Sequence, residues 1–175
     1  QHFIEKKNAF NRCNMKIIIL VRHGKSSWED DVTDRQRTLK PRGERDAKVV
    51  ANQFMKQNEV SQNMFSSPAK RAVNTSKIFT ETFGLSEKNV TIDECLYDFG
   101  GESVLNFIKN LPNSYNDIMI FGHNHAFTSI SNIFGSIFID NLPTSGLVKM
   151  SFNIDNWKDI KKGQTELILI PSELK

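Results

Sequence analysis

The run Ile17-Ile18-Ile19-Leu20-Val21 is apolar at every position, the pattern of a strand covered on both faces. A second run, Asp117-Ile118-Met119-Ile120-Phe121, repeats it. Shorter apolar stretches at Asn63 to Ser66 and around Val90 and Ile92 predict two further strands, and Leu147 to Phe152 and Glu166 to Ile170 predict the last two. Between them the apolar positions change to helical spacing. Val49, Val50 and Phe54 mark a helix from about Arg42 to Gln57. Val73, Ile78 and Phe83 mark another that Gly84 should end. Leu105, Ile108 and Leu111 lead up to Pro112 in a third helix, and a fourth is expected from about Ala126 to Phe134. Strands alternating with helices predict an α/β fold, a three-layer α/β/α sandwich whose central sheet is mostly parallel with the final strands antiparallel.

The polar residues at the strand ends change the picture from architecture to chemistry. The first run ends in Arg22-His23-Gly24 and the fourth strand ends in Gly122-His123-Asn124-His125. The second ends in Ser66-Ser67-Pro68-Ala69-Lys70-Arg71, where Ser67 is expected as the N-cap of the next helix, Pro68 as its first residue and Arg71 in its first turn. Helical side chains tilt toward the N-terminus, so Arg71 should lean back over the strand ends. Open α/β sheets bind ligands at the carboxyl ends of their strands. Two cations and two imidazoles gathered there predict a site for a phosphate. Gly24 is expected to let the chain leave the strand, so that Arg22 and His23 can serve one ligand.

These segments resemble the histidine phosphatase superfamily, whose fold is phosphoglycerate mutase-like, and in particular its small SixA-type phosphohistidine phosphatase branch. The resemblance lies in Leu20-Val21-Arg22-His23-Gly24-Lys25-Ser26-Ser27-Trp28, in Arg37 through Ala47, in Ser66 through Thr75, in Leu96-Tyr97-Asp98 and in Gly122-His123-Asn124. His125-Ala126 stands where the family usually has Pro-Gly, and Asn74 where Gln is common; both departures bear on the pocket rim. The resemblance implies a phosphatase that passes the phosphoryl group through a covalent phosphohistidine on His23, with Arg22, Arg71 and His123 completing the catalytic set. Arg37, Gly24 and Asp98 are expected to border the substrate.

The residue types suit that task on their own. An imidazole attacks phosphorus only with a free lone pair, and neighbouring guanidiniums disfavour its protonation. The same guanidiniums present donor forks to the phosphoryl oxygens, while His123 is expected to add a hydrogen bond. No metal or other cofactor is required. Asp93, Glu94, Asp98 and Glu102 follow the third strand, where other branches of the family draw a general acid. Asp98 is the first choice among them, against the alternative that all four are surface and helix-end carboxylates. Two rival readings are weighed. A metal site on His123, His125, His23 and Asp98 would set a divalent cation beside two arginines, and the sequence carries no His-Glu-x-x-His signature. A silent phosphate-binding module on the same fold has no need of a neutral imidazole facing two guanidiniums.

Composition narrows the partners. Twenty-three Lys and Arg against twenty Asp and Glu leave a net charge of +3, with the signs interspersed along the chain, so no nucleic-acid partner is expected. Cys13 and Cys95 form no disulfide framework, no stretch is apolar enough to cross a membrane, and Gln1 to Asn14 lacks a signal-peptide core. These features predict a cytoplasmic protein with an N-terminal extension over residues 1–14 and one domain over 15–175. The short, polar interval between Trp28 and the Arg42 helix leaves no room for a capping insertion. An open site of that kind suits a phosphorylated protein, phosphohistidine first, with a small sugar or nucleotide phosphate as the alternative.

Overall fold

The structure is a computed structural model and describes residues 15–175; the extension expected over 1–14, with Cys13, lies outside the described residues. Six strands form one sheet: β1 Lys16–Arg22, β2 Met64–Ser66, β3 Val90–Ile92, β4 Asp117–Gly122, β5 Leu147–Phe152 and β6 Gln164–Leu169. Their order is β3-β2-β4-β1-β5-β6. The three pairings among β3, β2, β4 and β1 are parallel, and those of β5 with β1 and β6 are antiparallel. The mostly parallel sheet expected from the alternation of elements is therefore present, with its antiparallel part at the end of the chain.

Four helices cover the sheet: α1 Pro41–Gln57, α2 Lys70–Phe83, α3 Glu102–Lys109 and α4 Ala126–Phe134. Alternate residues of the central strands feed two separate cores. Ile18, Leu20, Ile118 and Ile120 pack with Val104, Ile108, Phe127 and Ile130 of α3 and α4. Ile19, Val21, Met119 and Phe121 pack on the other face with Val50, Phe54 and Phe79 of α1 and α2. Strand side chains alternate between faces, so a strand covered on both sides must be apolar throughout, which explains the uninterrupted runs.

One helix start differs from expectation. Helix α2 begins at Lys70 with Ala69 at its N-cap, two residues beyond the expected Pro68 start. The hydroxyl of Ser67 does accept from the Ala69 amide at 3.2 Å, but it also reaches a histidine across the sheet. Helix α3 follows Gly101, whose φ of 108° is a conformation that favours glycine, and the side chain that satisfies its first amides is Asp98.

Candidate active site

The parallel register of β1 with β4 places Arg22 opposite Gly122, so the next residues, His23 and His123, emerge side by side at the carboxyl edge of the sheet. Backbone bonds prolong both ladders past the strands. The His23 amide donates to Gly122 O at 3.0 Å and the Ser67 amide to Phe121 O at 3.0 Å. The two imidazole rings are 5.3 Å apart between centroids. Both are buried, at 8% and 1% exposure.

Each ring is oriented by its neighbours. His23 Nδ1 lies 2.7 Å from Gly24 O. A carbonyl only accepts, so Nδ1 carries the proton and Nε2 keeps its lone pair. Arg71 Nε donates to that Nε2 at 3.3 Å. Burial, opposed by the Gly24 hydrogen bond and reinforced by the charges of Arg71, Arg22 and Arg37, pulls the His23 pKa down to about 4. His123 Nε2 is 2.7 Å from Ser67 Oγ, and Tyr97 and Phe99 pack on its ring with centroids 5.3 and 4.8 Å away. Burial first, then the nearby His23 and Arg71, pull its pKa down to about 3. Two buried nitrogens here, His123 Nδ1 and Arg22 Nε, have no hydrogen-bond partner among the described residues. Arg22 is fixed through Nη1, which donates to Leu142 O at 2.7 Å.

The loop after His23 rests on α1 through two glycines. A methyl group on Gly24 would come within 2.9 Å of Gly43 O, and one on Gly43 within 2.3 Å of Lys25 O. Neither glycine has a positive φ, so close backbone approach is the reason for both. Thr75 on α2 adds a further tie by accepting from the Gly24 amide at 3.0 Å.

The matching sequence model is the Histidine phosphatase superfamily (branch 1), which covers residues 18–103. That span holds Arg22, His23 and Arg71 as the geometry assembles them. Over that span the chain is similar to the histidine phosphatase superfamily. No curated protein matches it in sequence. Among solved structures, the protein histidine phosphatase SixA complexed with tungstate aligns at TM-score 0.76 and 18% identity, over 91% of this chain and 99% of that one. A candidate phosphohistidine phosphatase SixA from Agrobacterium tumefaciens aligns at TM-score 0.72 and 20% identity, over 89% and 98% of the two chains. A mycobacterial glucosyl-3-phosphoglycerate phosphatase aligns at TM-score 0.63 and 12% identity, over 87% and 97%. At these identities the likeness establishes a shared fold.

The remaining expected residues fall in different places. Arg37 is buried against the loop that follows His23, donating from Nε to Ser27 O at 3.0 Å and from Nη2 to Ser26 Oγ at 2.5 Å, with the ring of Trp28 stacked 3.2 Å from its guanidinium carbon. It braces the loop. Asp98 is not offered to a substrate. Its Oδ1 accepts from the Gly100 amide at 3.1 Å and its Oδ2 from the Gly101 and Val104 amides at 3.0 and 3.1 Å, so the carboxylate caps α3. Asp93 caps a short turn by accepting from the Cys95 amide, Glu94 pairs with Arg35, and Glu102 opens α3. Among the described residues no three His, Cys, Asp or Glu side chains converge to hold a metal ion.

Two site residues have no equivalent in the sequence reading. Ser67 holds His123, and Asp34 holds Arg71. Asp34 lies in a 3-10 turn, Asp34–Gln36, between β1 and α1. Its backbone oxygen accepts from Arg71 Nη1 at 2.6 Å and its Oδ2 from Arg71 Nη2 at 3.0 Å. Arg37 donates to Oδ1 at 3.3 Å and the Tyr97 hydroxyl to Oδ2. Burial raises the Asp34 pKa, but hydrogen bonds from Tyr97 and Arg71 and the charge of Arg71 outweigh it, leaving a value of about 2. A carboxylate in an irregular loop carries no periodicity. The only available signal was its place three residues before Arg37, within a run too polar to distinguish from surface.

Proposed function

We propose that this chain is a phosphatase that transfers a phosphoryl group to His23 Nε2 and then to water, and that its substrate is a phosphohistidine displayed on another protein. The observation that carries the reading is the lone pair at Nε2: Gly24 O holds the proton on the other ring nitrogen, and Arg71 Nε is aimed at the nucleophilic atom itself. With a pKa near 4 the ring is neutral at physiological pH, the state nucleophilic attack requires.

The surrounding donors match a transferring phosphoryl group. Ser67 Oγ accepts from the Ala69 amide and keeps its hydroxyl hydrogen to donate to His123 Nε2; in that tautomer, the one the reaction uses, the ring proton is on Nδ1. That Nδ1 and Arg22 Nε are buried donors without partners, and phosphoryl oxygens would satisfy both. As the phosphoryl group passes from its leaving atom to Nε2, charge spreads over its equatorial oxygens, where Arg22, Arg71 and His123 stabilise it. Attack of water on phospho-His23 then returns the ring to its starting state. The scheme routes no step through a metal.

The protein substrate is favoured by the rim. From His23 to Lys40 the chain forms only a 3-10 turn and an isolated pairing of Ser26 with Leu39, with no capping subdomain. Trp28, 75% exposed and stacked on Arg37, and Phe99, 45% exposed and packed on His123, suit contact with a protein surface. The test compares kcat/KM for a phosphohistidine-bearing protein with sugar and nucleotide phosphates, in the native chain and in His23→Ala. The expected result is preference for the phosphoramidate and loss of about 10³-fold or more in the variant. Hydrolysis that survives the substitution removes His23 as nucleophile, and a wide preference for a small ester transfers the assignment to a small-molecule phosphomonoesterase.

A further inference from the structure

We propose that Asp34 is the proton carrier of this reaction, protonating the departing atom as the phosphoryl group moves to His23 and accepting a proton from the water that hydrolyses phospho-His23. The inference rests on the phosphatase reading above and adds a catalytic residue to it, on an element different from the segment after β3.

The geometry singles out this carboxylate. The Nε and Nη2 groups of Arg71 form one planar edge, and along that edge Nε donates to His23 Nε2 while Nη2 donates to Asp34 Oδ2. The carboxylate and the reacting nitrogen are thus held as neighbours by a single guanidinium. The carboxylates after β3 are engaged elsewhere: Asp98 and Asp93 cap turns, Glu94 binds Arg35, and Glu102 sits in the first turn of α3. Asp34 remains 43% exposed along its side chain, so water and a leaving group can reach it.

Substrate entry changes what holds the proton. In the free protein Asp34 faces Arg71, Arg37 and the Tyr97 hydroxyl, with the neutral rings of His23 and His123 near Arg71 and Arg35 over the Tyr97 ring; hydrogen bonds from Tyr97 and Arg71, the charge of Arg71 and the hydrogen bond from Arg37 keep the carboxylate ionised. A phosphoryl group at Nε2 claims the same edge of Arg71 and brings its own negative charge beside the carboxylate. Two anions sharing one site push one of them to bind a proton. In the first step the bond from phosphorus to the leaving oxygen or nitrogen breaks as the bond to Nε2 forms, and the leaving atom takes the Asp34 proton. In the second, the water oxygen bonds to phosphorus, its proton passes to Asp34, and the electron pair of the broken phosphorus–nitrogen bond returns to Nε2. One water is consumed, and one phosphate and one protonated leaving group are formed. Tyr97 acts as a positioning residue that orients Oδ2.

The test is the dependence of kcat/KM on leaving-group basicity, measured with aryl through alkyl phosphates for the native chain, Asp34→Asn and Tyr97→Phe. The asparagine is isosteric and still accepts from Arg71, so each protein is read against its own series. Expected is a shallow dependence in the native chain. Asp34→Asn should lose about 10²-fold or more on alkyl phosphates but under about tenfold on nitrophenyl phosphate, whose leaving group departs unprotonated. Tyr97→Phe should keep the native slope. Equal losses across the series in Asp34→Asn, or a slope that steepens in Tyr97→Phe instead, would overturn the assignment. Acid-labile phosphoenzyme trapped from nitrophenyl phosphate, present in the native chain and Asp34→Asn but absent in His23→Ala, checks the parent reading separately.

Discussion

At the level of single residues, the rings are held by fixed partners, His23 at both nitrogens and His123 at Nε2. Gly24 O fixes the His23 tautomer and Ser67 fixes the His123 ring, so neither imidazole has to reorient when a phosphoryl group arrives. Two outcomes follow from this. The acid limb of kcat/KM should lie near pH 4, well below the ordinary imidazole value of 6.5, because His23 is held neutral by burial and three guanidiniums; a pH profile on an aryl phosphate measures it. Ser67→Ala leaves the buried Nε2 of His123 without its partner. It should cost about 1–3 kcal/mol in denaturant unfolding and lower kcat/KM by about tenfold or more. His23, His123, Arg22 and Arg71 were legible from their position after apolar runs. Ser67 and Asp34 were not, since a serine beside a helix start has a simpler role as a cap and a loop aspartate has no pattern at all.

Among the elements, the decisive contacts are between pieces of backbone. The loop after His23 lies on the first turn of α1 only because Gly24 and Gly43 bring no side chains between them. Gly43→Ala puts a methyl group 2.3 Å from Lys25 O, which neither strand nor helix can relieve without moving the loop. The variant should be destabilised by about 1–3 kcal/mol, followed by thermal unfolding, and should lose about tenfold or more in kcat as His23 shifts. The segments and their types were readable from hydrophobic period, α1 through α4 included. Element boundaries were less so. Helix α2 starts at Lys70 because Ser67 is drawn toward His123, and Asp98 turned from a candidate acid into the cap of α3 because Gly101 and Val104 present their amides to it.

For the whole molecule, two cores on opposite faces of one sheet hold the strand ends in register. Phe121 is fully buried on the face covered by α1 and α2 and precedes the Gly122-His123 turn by one residue. Phe121→Ala should cost about 3–5 kcal/mol, measured by denaturant unfolding. Stability should also carry the signature of the two histidines. Their folded pKa values, about 4 and about 3, lie below the ordinary 6.5, so the unfolded chain binds protons first. The stability present above pH 6.5 is lost as the pH falls toward 4, and His23→Ala should flatten that fall in thermal melts taken across the range. Among the described residues no helix is long and apolar enough to cross a membrane.

The chain by itself determined the three layers, the strands and the four residues gathered at their ends, because burial on both faces demands unbroken apolar runs and a strand must stop where its polar residues begin. The tertiary structure decided which ring nitrogen is free, which carboxylate lies beside it and which merely caps a helix. Those choices depend on distances of a few ångströms between segments far apart in sequence, and hydrophobic period carries no information about them.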